Sequence, residues 1–194
     1  MKSIRFHLFF MKGILISTQN YHLRWLQQND AEQIQFLAND YDIAKSTLNL
    51  PFPYTLEHAN SWINQTLINQ RTGDVINLAI TGKFSNEILG VIGLILDHAN
   101  KTAEAGYWIG KTHWNKGIAT EALKALITYT FDELKLNKVH AKHFTDNPAS
   151  GCVMQKADMQ LEGTFRFHVI RFEQVKHMHC YAIINPLLTT KEQI

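Results

Sequence analysis

The chain has 194 residues, 45% of them apolar, and a formal net charge of +2. This composition excludes a disordered chain and suits one domain around one substantial core, and so mild a charge, with no Lys/Arg run, excludes the electrostatic footprint of a nucleic-acid binder. No apolar run approaches the ~20 residues of a membrane span, and two cysteines, Cys152 and Cys180, build no disulfide framework, so a cytoplasmic protein is expected.

At the N-terminus, Ile4, Phe6, Leu8, Phe9 and Phe10 follow Lys2, but Arg5 and His7 break the apolar set and no cleavage site follows. A signal sequence is therefore not read here. Met11 is an alternative start to Met1. The expected organisation is an extension over 1–13, a domain over 14–186 and a tail over 187–194. Tyr21 to Leu26 predicts a strand, and Asp30 an N-cap for a helix through Leu37. Asp40 to Tyr54 then joins two helices, with Pro51 and Pro53 stiffening the end of that loop. Thr55 caps the second helix, over Leu56 to about Asn69. Val75 to Thr81, Ile88 to Leu96 and Thr102 to Ile109 predict three strands, the first two joined by a Ser85-Asn86 turn.

The helix from Ala119 to Leu134 is the clearest element. Ala119, Ala122, Leu123, Leu126, Ile127, Thr130, Phe131 and Leu134 recur at helical spacing, while Glu121, Lys124, Thr128, Asp132 and Lys135 occupy the other face. Lys138 to Phe144 predicts a strand, Ala149 to Lys156 a short helix, and Leu161 to Val169 with Gln174 to Ile183 two more strands. This order implies an α+β or α/β-type domain with one central mixed sheet flanked by helices.

Where the strand ending at Ile109 runs into that helix, the sequence reads Trp114-Asn115-Lys116-Gly117-Ile118-Ala119-Thr120. A glycine at a helix entry lets amides approach a ligand, and the first turn leaves about four N–H groups without internal partners. With the helix dipole these make a phosphate cradle. It has neither of the two commoner phosphate-loop patterns, and it suits an elongated pyrophosphate such as that of coenzyme A.

Tyr107-Trp108-Ile109-Gly110 followed by His113-Trp114-Asn115-Lys116-Gly117-Ile118-Ala119-Thr120-Glu121-Ala122 resembles the acetyl-coenzyme A loop of the GNAT N-acetyltransferase superfamily. Within it, the sequence is similar to the branch of ribosomal-protein N-terminal acetyltransferases. Leu23-Arg24-Trp25-Leu26 with Asp30-Ala31, the stretch Pro51 to Ala59 with Trp62-Ile63, and Asn147, Ser150 and Lys156 extend the resemblance over about Ile14 to Ile184. Two departures stand out: Asn115 where the branch carries glycine, and Lys156-Ala157-Asp158-Met159 in place of Lys-Leu-Gly-Phe. The resemblance implies an α+β fold with a central twisted, mostly antiparallel sheet flanked by helices, a splayed strand pair forming the cofactor slot, acetyl-coenzyme A as co-substrate and no metal. It implies contacts from Trp108, Ile109, His113, Trp114, Asn115, Lys116, Gly117, Ile118, Ala119, Thr120, Asn147 and Ser150.

Acetyl transfer needs a neutral amine, a stabilised oxyanion and a protonated or solvated leaving thiolate. Glu104 is the candidate base: it shares a strand face with Gly106 and Trp108, Gly106 leaves a gap beside it, and the resemblance implies a glutamate there. The alternative is a solvated strand carboxylate. Ser150 is placed at the thiolate and Asn147 on the pantetheine arm, although both also suit a helix start. A backbone N–H near Trp108 or Ile109 is expected to serve the oxyanion, and Lys116 the pyrophosphate charge.

Asp42, Phe52 and Tyr54 are the candidate acceptor contacts, the acid for a cationic amine and the rings to flank it. His177 and His179, with His140 and His143, fall short of a zinc set, because Cys180 points the other way on an extended strand. The expected function is direct transfer, in a ternary complex, to a protein N-terminal amine. A small-molecule amine acetyltransferase and a silent acyl-coenzyme A sensor are the alternatives. Neither nucleic acid nor membrane is expected as a partner, and the protein would be a monomer or homodimer.

Overall fold

Two short strands, β1 (Leu15–Ser17) and β2 (Tyr21–Trp25), open the computed structural model, which describes residues 13–189. The question of Met1 against Met11, most of the expected extension and the end of the tail lie outside the described residues. Six further strands are β3 (Val75–Gly82), β4 (Ile88–Asp97), β5 (Thr102–Ile109), β6 (Lys138–Phe144), β7 (Gln160–Arg171) and β8 (Gln174–Ile184). They join the first two in one sheet of order β1-β2-β3-β4-β5-β6-β8-β7. Among the described residues, only β5 and β6 pair in parallel. A parallel pair needs a crossover, and helix α4 (Ile118–Asp132) supplies it; helices α1 (Ala31–Ala38), α2 (Tyr41–Ser46), α3 (Leu56–Thr72), α5 (Pro148–Lys156) and α6 (Pro186–Thr189) complete the fold.

Strand period two splits the core into two apolar clusters. Ile76, Leu78 and Ile80 of β3 pack with Leu123 and Leu126 of α4 and Met154 of α5. Ala79 of β3 and Val91 of β4 pack instead with Ile34 of α1 and Ile63 of α3. Leu126 is fully buried; truncating such a residue to alanine costs ~2–5 kcal/mol.

Local chemistry explains most element ends. The Thr55 side chain accepts from the His58 N–H at 3.2 Å to start α3, and Gly73, at φ +78°, stops it. Asp30 takes the N-cap position of α1, as expected, but its side chain makes no cap bond. It ends a 3-10 turn, Gln28–Asp30, and its buried carboxylate accepts both Arg24 guanidinium nitrogens, at 2.8 and 2.9 Å, and the Gln27 N–H. The expected loop from Asp40 contains helix α2, with Asp40 accepting from the Asp42 N–H at 2.7 Å. Asp158 stands at φ +63°, a conformation favouring glycine, and Met159 fills the core place expected for an aromatic ring.

The register creates the slot. The β5–β6 ladder ends at Ala105↔Ala141, yet β5 stays with β4 as far as Ile109↔Gly90 and β6 with β8 as far as Phe144↔Met178. Each strand follows its outer neighbour, so the two part. Among the described residues, no helix is long and apolar enough to cross a membrane.

Candidate active site

Beyond the parting of β5 and β6 lies a cleft of about 1070 Å³. Trp108, Ile109, His113 through Thr120, Asn147 and Ser150 all line it, as do Glu104 and Tyr54. The chain leaves β5 through a 3-10 turn, Lys111–His113, closed by the Trp114 indole N–H, which donates to the Ile109 carbonyl at 2.7 Å. His113 packs against the cleft rim, 3.9 Å from the Glu87 carboxylate. Asn115 at φ +61° and Gly117 at φ +76° then turn the chain into α4. The departure at Asn115 is thereby explained: the position asks for the left-handed region, and asparagine is the side chain that tolerates it best after glycine. A Cβ on Gly117 would meet nothing within 4 Å. The amides from Lys116 to Thr120 thus open on free space at a helix N-terminus, as an anion cradle requires.

On the inner side of the slot, Asn147 caps α5, its side-chain oxygen accepting from the Ser150 N–H at 3.4 Å. Tyr107 links β5 to that first turn: its hydroxyl lies 2.9 Å from Ser150 Oγ and donates to the Ser150 carbonyl at 3.1 Å. Burial pushes the Tyr107 phenol up to about 12, so it remains a proton donor at neutral pH. Sequence reasoning quoted Tyr107 without giving it a role; an aromatic in a strand signals only packing until its hydroxyl partner is known. Backbone directions narrow the oxyanion donors. The Gly110 N–H donates to Leu89 on the β4 side, and strand alternation turns the Trp108 N–H the same way, leaving those of Ile109 and Tyr107 toward the slot.

Glu104 projects from the other face of β5. The β4–β5 register is unbroken, so Glu104, Gly106 and Trp108 do share a face, and a Cβ on Gly106 would meet nothing within 4 Å. The Glu104 carboxylate lies 2.9 Å from Lys142 Nζ and 3.9 Å from His140 Nδ1, both on β6. Desolvation holds the His140 imidazole below its ordinary value despite that carboxylate. Lys142 was not singled out in the sequence; the parallel register Glu104↔His140 brings it alongside.

The acceptor side is partly redrawn. Ser46 through Pro51, with Tyr54, His58, Ser61 and Trp62, wall the cleft opposite the cradle. Tyr54 is buried, which pushes its phenol up to about 12. Asp42 and Phe52 do not reach the cleft. Asp42 belongs to a smaller neighbouring cavity and is tied to Lys111 at 2.5 Å and Lys45 at 2.6 Å. Those hydrogen bonds, Lys111 first, hold its carboxyl down at about 2. Phe52 turns outward onto Tyr41, centroids 5.4 Å apart, and Tyr41 meets Phe172 of the β7–β8 turn at 5.5 Å. Arg171 spans from that turn to the wall, donating to the carbonyls of Ala44, at 2.8 Å, and Leu50.

His143 and His179, register partners on β6 and β8, have ring centroids 5.3 Å apart. No third ligand-type side chain groups with them among the described residues.

Residues 21–160 match the family model described as acetyltransferase (GNAT) domain. The uncharacterized N-acetyltransferase p20 of Bacillus licheniformis is 31% identical over 150 residues, 77% of this chain and 84% of that one. The ribosomal-protein-serine acetyltransferase of Escherichia coli is 37% identical over a shorter stretch of 82 residues, 42% of this chain and 46% of that one. In three dimensions, the microcin C7 self immunity acetyltransferase MccE, solved in complex with acetyl-CoA and AMP, superposes with a TM-score of 0.79 at 28% identity, over 86% of this chain and 93% of that one.

Proposed function

The chain belongs to the acetyltransferase (GNAT) family, and on that premise we propose that it transfers an acetyl group directly from acetyl-coenzyme A to a primary amine in the same cleft. The observation that carries this is the end of the β5–β6 ladder at Ala105↔Ala141. It sets Glu104 on one side of the slot and the Tyr107–Ser150 hydroxyl pair on the other, so a proton can be taken from the amine and another given to the thiolate without either group moving far. The unobstructed Gly117 turn fits a pyrophosphate, and a thioester bound there supplies the activated acetyl group.

The chain's own groups divide the work. Amides from Lys116 to Thr120 hold the phosphates, with the Lys116 ammonium adding charge. Asn147 and the slot-facing N–H groups of β5 hold the arm. The Ile109 N–H serves the oxyanion, where a preorganised donor lowers the barrier by ~2.7–4 kcal/mol in comparable sites. Glu104, steadied by Lys142, receives the amine proton directly or through a water. Tyr107 and Ser150 deliver a proton to sulfur.

We assign the acceptor as a protein N-terminal amine, supported by the likeness to the ribosomal-protein-serine acetyltransferase. Likeness to MccE along most of the chain, and a wall pinned by Arg171 that makes a pocket of the acceptor side, favour a small-molecule amine as the second reading. Two free cysteines, one exposed, suit action in the cytoplasm. Labelled acetyl-coenzyme A with a panel of N-terminal peptides, polyamines and aminoglycosides tests the assignment. Peptide labelling supports it, labelling of a small amine alone replaces it with the second reading, and a panel left unlabelled counts against transfer.

A further inference from the structure

One row of residues crosses three neighbouring strands: Asn77 of β3 pairs with Gly93 of β4, and Gly93 with Gly106 of β5. Ala79 and Val91 pack with Ile34 and Ile63 of the helices α1 and α3, and Trp108 packs against them. Strand period two puts Asn77, Gly93 and Gly106 on that same face, which Glu104 also shares. Two adjacent glycines leave the sheet bare between two walls, the register pair Ile95↔Glu104 on one side and Val91↔Trp108 on the other. The row and both walls line the cleft. The result is a short trough running from the slot edge of β5 across to β3.

The trough ends at Asn77. A Cβ on Gly93 would come within 2.5 Å of Asn77 Oδ1, so this oxygen occupies the space of the missing side chain and reaches over β4. The other end of the amide is fixed, because Nδ2 donates to the hydroxyl of Thr66, a buried residue of α3, at 3.2 Å. The Asn77 side chain makes no other hydrogen bond among the described residues. A carbonyl oxygen held in place at the end of a cleft without a donor is a ready acceptor for a ligand N–H.

Distance says which N–H. Oδ1 stands about one strand spacing, ~5 Å, from Gly106, over which a Cβ would meet nothing within 4 Å. An amine attacking from this face sits there, between Glu104 and the slot. That is too far for the amine itself, since a hydrogen bond spans ~2.9 Å. The next nitrogen of a peptide lies three bonds along, ~3.5 Å from the terminal one, and bridges the gap. We propose that Asn77 Oδ1 accepts a hydrogen bond from the N–H of the acceptor's second residue. The trough then selects peptide amines over simple monoamines, and rejects N-termini whose second residue is proline, which has no N–H. The inference rests on the peptide-amine reading above.

Initial rates at pH 9, where the terminal amine is neutral, test this with a short peptide and with its analogue carrying an ester oxygen in place of the second-residue N–H. Wild-type protein should favour the peptide about tenfold in kcat/KM, the equivalent of one hydrogen bond whose acceptor is otherwise left unmatched. Asn77→Ala should bring that ratio to about one by slowing the peptide alone. Its acetyl-coenzyme A affinity in calorimetry should stay unchanged, because β4 and β5 separate Asn77 from the slot. Asn77→Asp, which keeps an acceptor at the same point, should retain the ratio. Asn77→Ser, too short to reach over Gly93, should lose it and stands in should the alanine variant not fold. Equal wild-type values for the two acceptors, an undiminished ratio in a folded Asn77→Ala or Asn77→Ser variant, or a ratio lost in Asn77→Asp would overturn the inference alone. Wild-type protein that acetylates neither acceptor would overturn the peptide-amine reading and this inference with it.

Discussion

Replacing Gly117 with valine separates the cost of backbone strain from the loss of a ligand contact. Gly117 sits at φ +76°, where an L side chain costs ~1–2 kcal/mol and a β-branched one stands at the upper end. Crowding adds nothing, since a Cβ there meets no atom within 4 Å. At roughly 2–4 °C per kcal/mol for a chain of this size, the melting temperature should fall by roughly 2–8 °C. Binding should suffer far more, because the isopropyl group enters the space on which the amides of Lys116 to Thr120 open. Losing two charge-assisted hydrogen bonds, each ~1.5–3 kcal/mol, weakens acetyl-coenzyme A binding by roughly 10²- to 10⁴-fold. Calorimetric titration beside a thermal melt measures both. Asn115→Gly is the control: it relaxes a neighbouring left-handed residue without adding atoms, and affinity should stay within about twofold. A folded Gly117→Val protein with wild-type affinity would refute the cradle.

Other outcomes follow from the same geometry. Glu104→Gln should lower turnover by about 10²-fold with acetyl-coenzyme A affinity unchanged, and the defect should shrink at high pH, where the amine is already neutral; full activity at every pH would leave Glu104 a plain strand residue. Tyr107→Phe should slow transfer by about tenfold or more without loss of coenzyme binding, as single-turnover rates would reveal. Tyr54→Ala should raise the acceptor KM and, by the ~3–5 kcal/mol of a large-to-small change, lower the melting temperature; Asp42→Asn should leave both Michaelis constants unchanged, since Lys111 and Lys45 already occupy that carboxylate. His140 and His143 both have depressed values in the folded state. Below the ordinary imidazole value the unfolded chain therefore binds more protons, and their share of stability is present at pH 7.5 and lost on acidification through ~6.5. Thermal melts at pH 7.5 and 5.5 should show that fall, and a smaller one in His143→Phe; equal slopes would place the titration elsewhere.

The sequence was most legible where a single period ran long enough. Thr102–Ile109 and Lys138–Phe144 fall at the residues that their alternation indicates, and α4 follows its apolar stripe. The turn into α4 was readable too, because its chemistry is local: a glycine at φ +76°, a helix entry, a strand before it. Helix α2 escaped notice because it spans one and a half turns, too few for a stripe to repeat, and its cap, Asp40, reads equally as a loop residue. Partners across the slot were hidden for a different reason. Lys142 beside Glu104, and Ser150 beside Tyr107, depend on a parallel register and a helix docking that no local pattern encodes. Asp42 and Phe52 were misplaced by the same gap: their side chains had the right chemistry, but the bonds to Lys111 and the edge-to-face contact with Tyr41 hold them away from the cleft.

The Arg171 bridge has a consequence for how this pocket can be re-engineered. Its guanidinium grips main-chain oxygens of Ala44 and Leu50, not side chains. Such an anchor is blind to the identity of the residues it clamps. Leu48 and Asn49 lie between the clamped points and face the cleft, so their side chains can be exchanged while the clasp holds, whereas Thr47, whose hydroxyl donates to the Ile43 and Ala44 carbonyls at 3.1 and 3.2 Å, belongs to the frame. A combinatorial library at Leu48 and Asn49 would vary acceptor preference on a frame whose assembly does not depend on the letters being changed.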